Sequence, residues 1–448
     1  MSSISQYIDI YRDNSAVIDS RSAGVLNSLR PAALKALDGR KLPERGEEGY
    51  EKTSLEKMFA PDFGLNILRL NIPVDIAHTF KCDVPRVSTL MSYVINDKFV
   101  TGSATPDRLP EGVIFGSLAE EAVKHPELIG RYYGSMAPLD SVPVALNTLL
   151  VQDGVVLYVP RGVKMEKPLQ LVNIFSSPTP LMAVRRLLIV LEDDAQAQLL
   201  ICDHTQDGER AYLSSQVVEI SVGRNASLDL YDIEESSPLT SRCSQLYARQ
   251  DEGSRLLING STLACGSTRN DYNLSLEGAH AEAMLGGMAI VSGKEHVDND
   301  SCVDHKVPDC RSNQMFKYIL DDEATGAFEG GINVFPGAER TQAYQSNKNI
   351  LASSAAKMHT KPQLLIYCDD VKCSHGATTG QLDQNALFYM RQRGIPEKAA
   401  RTMLMQAFMA DVIDSVNIEG LRDRLRHLVE KRLHGQASFC SECVFSNK

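Results

Sequence analysis

Residues 187–231 read LLIVLEDDAQAQLLICDHTQDGERAYLSSQVVEISVGRNASLDLY. Four runs inside this stretch are short, apolar and β-branched: Leu187–Leu191, Gln198–Cys202, Val217–Val222 and Ser227–Tyr231. Such residues suit a pleated, half-buried surface, and the Gly, Asp and Asn between them are turn formers. The texture extends outward from about 140 to 380 and takes in Val155–Val159, Leu256–Ile258 and Leu364–Tyr367. Few of the gaps could hold a helix of about 10–15 residues, which disfavours βαβ units. So many short strands are too many for a two-sheet sandwich. Stacked rungs, each burying its face against the next, accommodate them. The expectation is a mainly β protein built on a β-helix core over 136–380, with no strict residue repeat to set the rung length.

The flanks read differently. Residues 1–135 are helical and mixed: Ile4, Ile8 and Tyr11 sit at helical spacing. A second run carries Val25, Leu26, Leu29, Leu34 and Leu37, with Asp38-Gly39 as its stop. Residues 42–52 are polar and loop-like, and 116–133 hold a short helix with Leu118, Ala122 and Val123 on one side. Over 381–435 the helical period returns. Pro396 starts a helix whose apolar stripe is Ala400, Met403, Leu404, Ala407, Phe408 and Ile413. A second helix carries Leu421, Leu425, Leu428, Val429 and Leu433 before Gly435. Residues 436–448 read as a flexible tail.

The 448 residues carry a net charge of −11, with 43% apolar and 23% charged side chains. That balance is typical of a soluble globular protein and offers no basic footprint for nucleic acid. With no Trp and 6% aromatics, stacking platforms for bases or sugars are sparse. No secretory signal and no run of about 18 apolar residues is visible, so a cytoplasmic location away from the membrane is expected. The ten cysteines are then reduced thiols, most of them small buried hydrophobes. Gly287 to Gly293-Lys294 is one residue too long for a phosphate loop, and Glu295 stands where Ser or Thr should hold Mg²⁺. No nucleotide site and no catalytic triad motif is visible, so a non-catalytic chain is expected.

Soft metal ligands cluster at Cys368, Cys373 and His375, in YCDDVKCSHGATTGQLDQNALFYMRQRGI. Thiolate and imidazole suit iron and iron–sulfur clusters. The spacing is not a closed metal motif, so on residue type alone an inward-packed Cys373 and a turn histidine explain it better. Cys302, His305 and Cys310 form a second set, with Cys302 and His305 on opposite faces of a strand if alternation holds. Cys440 and Cys443 make a lone C-x-x-C.

Residues 369–396, DDVKCSHGATTGQLDQNALFYMRQRGIP, resemble the signature of the SufB/SufD family of iron–sulfur cluster assembly scaffolds. GAERTQAYQSNKNILASS (337–354), KPQLLIYCDDVKC (361–373), CVDHKVPDCRSNQMFKYIL (302–320) and DGVVLYVPRGV (153–163) resemble its preceding segments. LPERGEEGYEKTSL (42–55) is similar to the N-terminal motif of its D-type members. The resemblance implies a right-handed parallel β-helix between helical ends. It also implies SufB as heterodimer mate and the ATPase SufC docked on the C-terminal helices, where Arg401, Gln406 and Asp411 are candidate contacts. Two differences favour the D-type branch. Ser374 and Gly376 flank His375 where B-type members carry glutamates, and Ser346 stands where they carry the cluster thiol. Asp309 replaces a histidine often found in the family. The resemblance places His375, with Cys373 nearby, at the SufB interface as a candidate ligand of a transient iron or Fe–S cluster, with no permanently bound cofactor. Edge pairing of the last strands would let the isolated chain form a homodimer. The alternatives are a B-type, cluster-carrying scaffold and a β-helix carbohydrate-active enzyme.

Overall fold

A computed structural model describes residues 2–74, 89–206 and 208–435. Two sheets face each other across a shared interior. One contains β3 (Ile114–Ser117), β4 (Val155–Val159), β6 (Leu181–Leu191), β8 (Tyr212–Val222), β10 (Thr240–Gln250), β12 (Ser267–Leu276), β14 (His296–His305), β16 (Thr325–Val334) and β18 (Lys357–Ile366). The other contains β1 (Leu90–Ile95), β2 (Lys98–Val100), β5 (Leu169–Phe175), β7 (Gln196–Thr205), β9 (Ser227–Glu235), β11 (Arg255–Ala264), β13 (Glu282–Val291), β15 (Arg311–Leu320), β17 (Thr341–Leu351) and β19 (Val371–Gly380). From β4 on, successive strands alternate between the sheets, and each pairs in parallel with the strand two further on. This is a parallel β-helix. Among the described strands only β1–β2 and β3–β4 pair antiparallel, and both pairings lie at the N-terminal end.

The rung length varies, which explains why no repeat shows in the residues. Ser241 pairs with Ser267, 26 positions on, whereas Thr325 pairs with Lys357, 32 positions on. The regularity lies in the corners. Gly162, Asp194, Asn225, Gly253, His280, Asp309 and Arg340 follow successive even-numbered strands, and all take positive φ, between 54° and 74°. The rungs from β4 to β16 therefore each turn through a left-handed residue, a conformation that costs most side chains about 1–2 kcal/mol. Stacking offsets the cost. Asp194 N–H donates to Arg224 O, Asn225 N–H to Glu252 O and Gly253 N–H to Ala279 O, so each corner bonds to the chain just before the next.

The interior is filled by one face of most strands, including Leu171, Ile189, Ile201, Leu230, Leu246, Tyr272, Phe316, Tyr318 and Phe328. The N-terminal helices Ser3–Ser20, Arg30–Ala36, Leu55–Phe59 and Val142–Leu150 cover the outer face of the first sheet through Met182, Val184, Leu213 and Cys243. The helices Glu397–Asp414 and Glu419–Leu433 lie along the outer face of the second, on Cys202, Ile233, Met288, Ile319 and Ile350. No helix among the described residues is long and apolar enough to cross a membrane.

Several sequence expectations shift. The sheets begin at Leu90, inside the segment read as helical, and the helix Val142–Leu150 lies beyond it. The 116–133 helix is two helices, Leu118–Lys124 and Pro126–Tyr132, broken by Pro126, and Val123 is 71% exposed rather than inward. On Glu397–Asp414 the buried stripe is Ala400, Met405, Met409, Val412 and Ile413. Met403 and Ala407 face out, and Leu404 and Phe408 sit at the edge of the contact.

Candidate functional site at the open end of the β-helix

The two ends of the β-helix differ. The first rungs are closed by the antiparallel strands β2 and β3. At the other end β18 and β19 are the outermost strands of their sheets. β19 is largely exposed and β18 mostly half-buried, and Leu365, Ile366 and Tyr367 near the end of β18 are exposed apolar side chains. Parallel edges with unpaired backbone groups are templates for another strand.

β19 carries His375. Its register against β17 sets Ala343 beside Cys373, Gln345 beside His375 and Ser346 beside Gly376. Cys373 packs inward on Ile332, Val334 and Ala343, and burial pushes its thiol pKa up. His375 lies two residues on, so it shares that face, but it is exposed because no further rung covers it. Ser346 and Gly376 fall on the opposite face. Ser346 and His375 therefore sit on different sides of the same sheet. Cys368 joins the same apolar cluster as Cys373.

Beneath His375 the interior turns polar. Gln345, 4% exposed, donates through Nε2 to Gln314 Oε1 (3.1 Å). Gln314 Oε1 also accepts from Ser301 Oγ (2.7 Å), and its own Nε2 donates to Gly331 O (3.1 Å). Gly330 allows this close packing, since a Cβ there would lie 2.3 Å from Gln345 Nε2. Gln345 Oε1 is buried and finds no hydrogen-bond partner among the described residues. It is an acceptor one strand away from the imidazole.

The second soft-ligand set is dispersed. Cys302 lies on an outer face with Asp304, and Asn333 Nδ2 donates to its sulfur (3.2 Å). Burial pushes that thiol pKa up to about 12. His305 points inward, bonded through Nε2 to Ser312 Oγ (2.8 Å), and burial lowers its pKa to about 4. Cys310 donates to Gly278 O (3.3 Å). Asp309 is a corner residue paired with Arg340 (2.6 Å). No group of three or more Cys, His, Asp or Glu able to hold a metal occurs among the described residues. Cys440 and Cys443 lie outside the described residues.

Of the candidate docking residues, two are engaged by the protein's own β body. Arg401 Nη2 donates to Ala352 O (3.0 Å), and Asp411 accepts from Lys317, which holds its carboxyl below the usual range. Lys317 also donates to Phe408 O (2.6 Å). Gln406 is half-buried. The exposed large apolar side chains on these C-terminal helices include Met403, and Phe388 and Tyr389 on the helix Gln384–Gln392, at 49%, 64% and 59% exposure.

Sequence reasoning missed a charged cluster in the interior. Arg185 pairs with Asp203 (2.8 Å), Arg242 with Asp203 (3.1 Å) and with Asp232. Glu234 accepts from Thr268 (2.8 Å), and burial raises its pKa to about 7. Alternation alone could have flagged it, because Asp232 and Glu234 continue the inward face of Leu228 and Leu230.

Residues 1–171 match the family described as the SufBD protein N-terminal region. Residues 174–408 match the SUF system FeS cluster assembly, SufBD core domain. An iron–sulfur cluster assembly SufBD family protein of Synechocystis is 28% identical over 425 residues, 93% of each chain. The iron–sulfur cluster assembly protein SufD of Escherichia coli is 30% identical over 65% of this chain and 70% of its own. SufD of Bacillus subtilis is 26% identical over 72% and 74%. With the core match alone spanning more than half its length, this chain belongs to the SufB/SufD family of iron–sulfur cluster assembly proteins.

Proposed function

We propose that the chain is a D-type scaffold subunit of the SUF assembly complex. On this reading it is non-catalytic and works in the cytoplasm. It pairs with SufB through β18 and β19, receives SufC on its C-terminal helices, and lends His375 to an iron or nascent Fe–S cluster shared across the SufB interface. The observation that carries the reading is the exposed imidazole on an open strand edge, in a family of cluster assembly proteins. Imidazole serves beside thiolate and sulfide in mixed-ligand clusters. Cys373, packed inward with a raised pKa, is the weaker ligand. Met403, Phe388 and Tyr389 are better placed than Arg401 to meet SufC, since their side chains are exposed, while Asp411 is exposed but already paired with Lys317.

Anaerobic co-purification with SufB and SufC, followed by iron and sulfide analysis, tests this. His375→Ala should leave the complex intact and lower retained iron by about tenfold, while Cys373→Ala should do less. A His375→Ala complex that retains iron and sulfide like the wild type removes the ligand role.

A further inference from the structure

The motif at 42–55 folds into a strap. Leu42 and Leu55, at its two ends, are fully buried among the N-terminal helices. Between them the chain turns at Gly46 and Gly49, with φ of 102° and 76°. It closes on itself through Gly46 N–H to Tyr50 O (3.3 Å) and Tyr50 N–H to Glu47 O (2.9 Å). Compact loops pinned at the base in this way are frequently functional.

The strap crosses four adjacent strands on the outer face of the first sheet. Over β12, the Tyr50 ring lies 4.7 Å from the guanidinium of Arg269. Arg269 is almost fully buried and bound by Asp271, Asp298 (2.9 Å) and Asp300 (2.7 Å). Over β14, Thr53 donates to Asp298 and lies 2.8 Å from His296 Nε2. At the edge, Lys361 of β18 donates to Glu51 (2.8 Å) and pairs with Glu329 of β16 (2.7 Å). Three strand spacings make about 14 Å. The strap thus runs from a rigid, fully paired strand to the last strand of the sheet.

β18 has a neighbouring strand on one side only. Glu51, 310 residues away in sequence, gives it a second tie. A cleft of about 570 Å³, lined by Glu51, Lys52, Phe328, His359 and Lys361 among others, lies against the strap. A contact made through side chains across a cleft can be released without unfolding the core. We propose that the 42–55 strap is a clamp that positions the terminal rung of the β-helix, with Glu51 and Lys361 as its positioning residues. The clamp sets how β18 and β19 are presented to a partner strand, a consequence that rests on the pairing proposed above. The clamping itself does not.

Amide hydrogen exchange on the full chain, without partners, tests it. Glu51→Ala and Lys361→Ala should each speed exchange in 357–366 by about threefold or more, the scale of one exposed ion pair. Exchange in 212–222, deep in the same sheet, should stay unchanged, and Lys361→Arg should keep the wild-type rate. The double variant Tyr50→Ala with Thr53→Ala should extend the acceleration into 371–380. Unchanged exchange at 357–366, or equal acceleration at 212–222, overturns the clamp and leaves the strap a general stabiliser. No SufB is present, so failure here and failure of the heterodimer reading are read separately.

Discussion

Glu234 shows how the interior of a β-helix treats a charge. It is fully enclosed, held by Thr268 and Thr262, and its neighbours Asp203 and Asp232 already occupy Arg242. Burial raises its pKa to about 7 from the ordinary 4.5. The folded state therefore binds this proton more tightly than the unfolded chain does. Its contribution is fully present below pH 4.5 and is lost as pH rises through 7. That is about 3 kcal/mol across the window. Glu234→Gln should match the wild type in denaturant stability near pH 4.5 and exceed it at pH 8, with the gap opening between. Equal stability at both pH values would show that folding does not shift the Glu234 pKa. His375 stood out in the sequence because of the motif around it. Its setting did not, because which face a residue takes depends on the register of a strand 30 residues away, Gln345 beside His375. Cys302 and His305 could be separated by alternation within one strand, and they do diverge.

At the scale of elements, runs such as Val217–Val222 and Ser227–Tyr231 carried their strands openly, since β-branched residues between turn formers have few other uses. The corners were hidden. Only backbone conformation repeats there, and Gly, Asp, Asn, His and Arg all serve. His280, at φ 62°, is a place to test this. His280→Val forces a β-branched residue into the left-handed region and should cost about 1–2 kcal/mol. His280→Gly should stay within about 0.5 kcal/mol of the wild type, by thermal or urea denaturation. The Glu397–Asp414 stripe was misplaced for a related reason. Met405 and Met409 are no more apolar than Met403, and only contact with Met288 and Ile319 decides which of them is buried. The strap was legible as a loop, but its partners Arg269 and Lys361 lie hundreds of residues away, beyond any local pattern.

For the whole molecule, the two ends of the β-helix differ. The N-terminal end is closed by antiparallel strands and helices, while the C-terminal end offers β18 and β19 as unpaired edges. Exposed edges are templates for another strand, and a second copy of the chain presents the same strands. Light scattering of the isolated chain should give a concentration-dependent dimer mass, and a strict monomer at high concentration would refute that route.

The open end has a further thermodynamic meaning. A stack of rungs behaves as a linear array in which each member draws its stability from two neighbours. The last rung has one, so fraying starts there and costs least there. A partner strand laid on β18 or β19 becomes the missing neighbour. Binding and the ordering of that rung are then one linked equilibrium. Any substitution that loosens the terminal rung weakens association even when the altered residue never meets the partner, and a bound partner protects that rung from proteolysis and exchange.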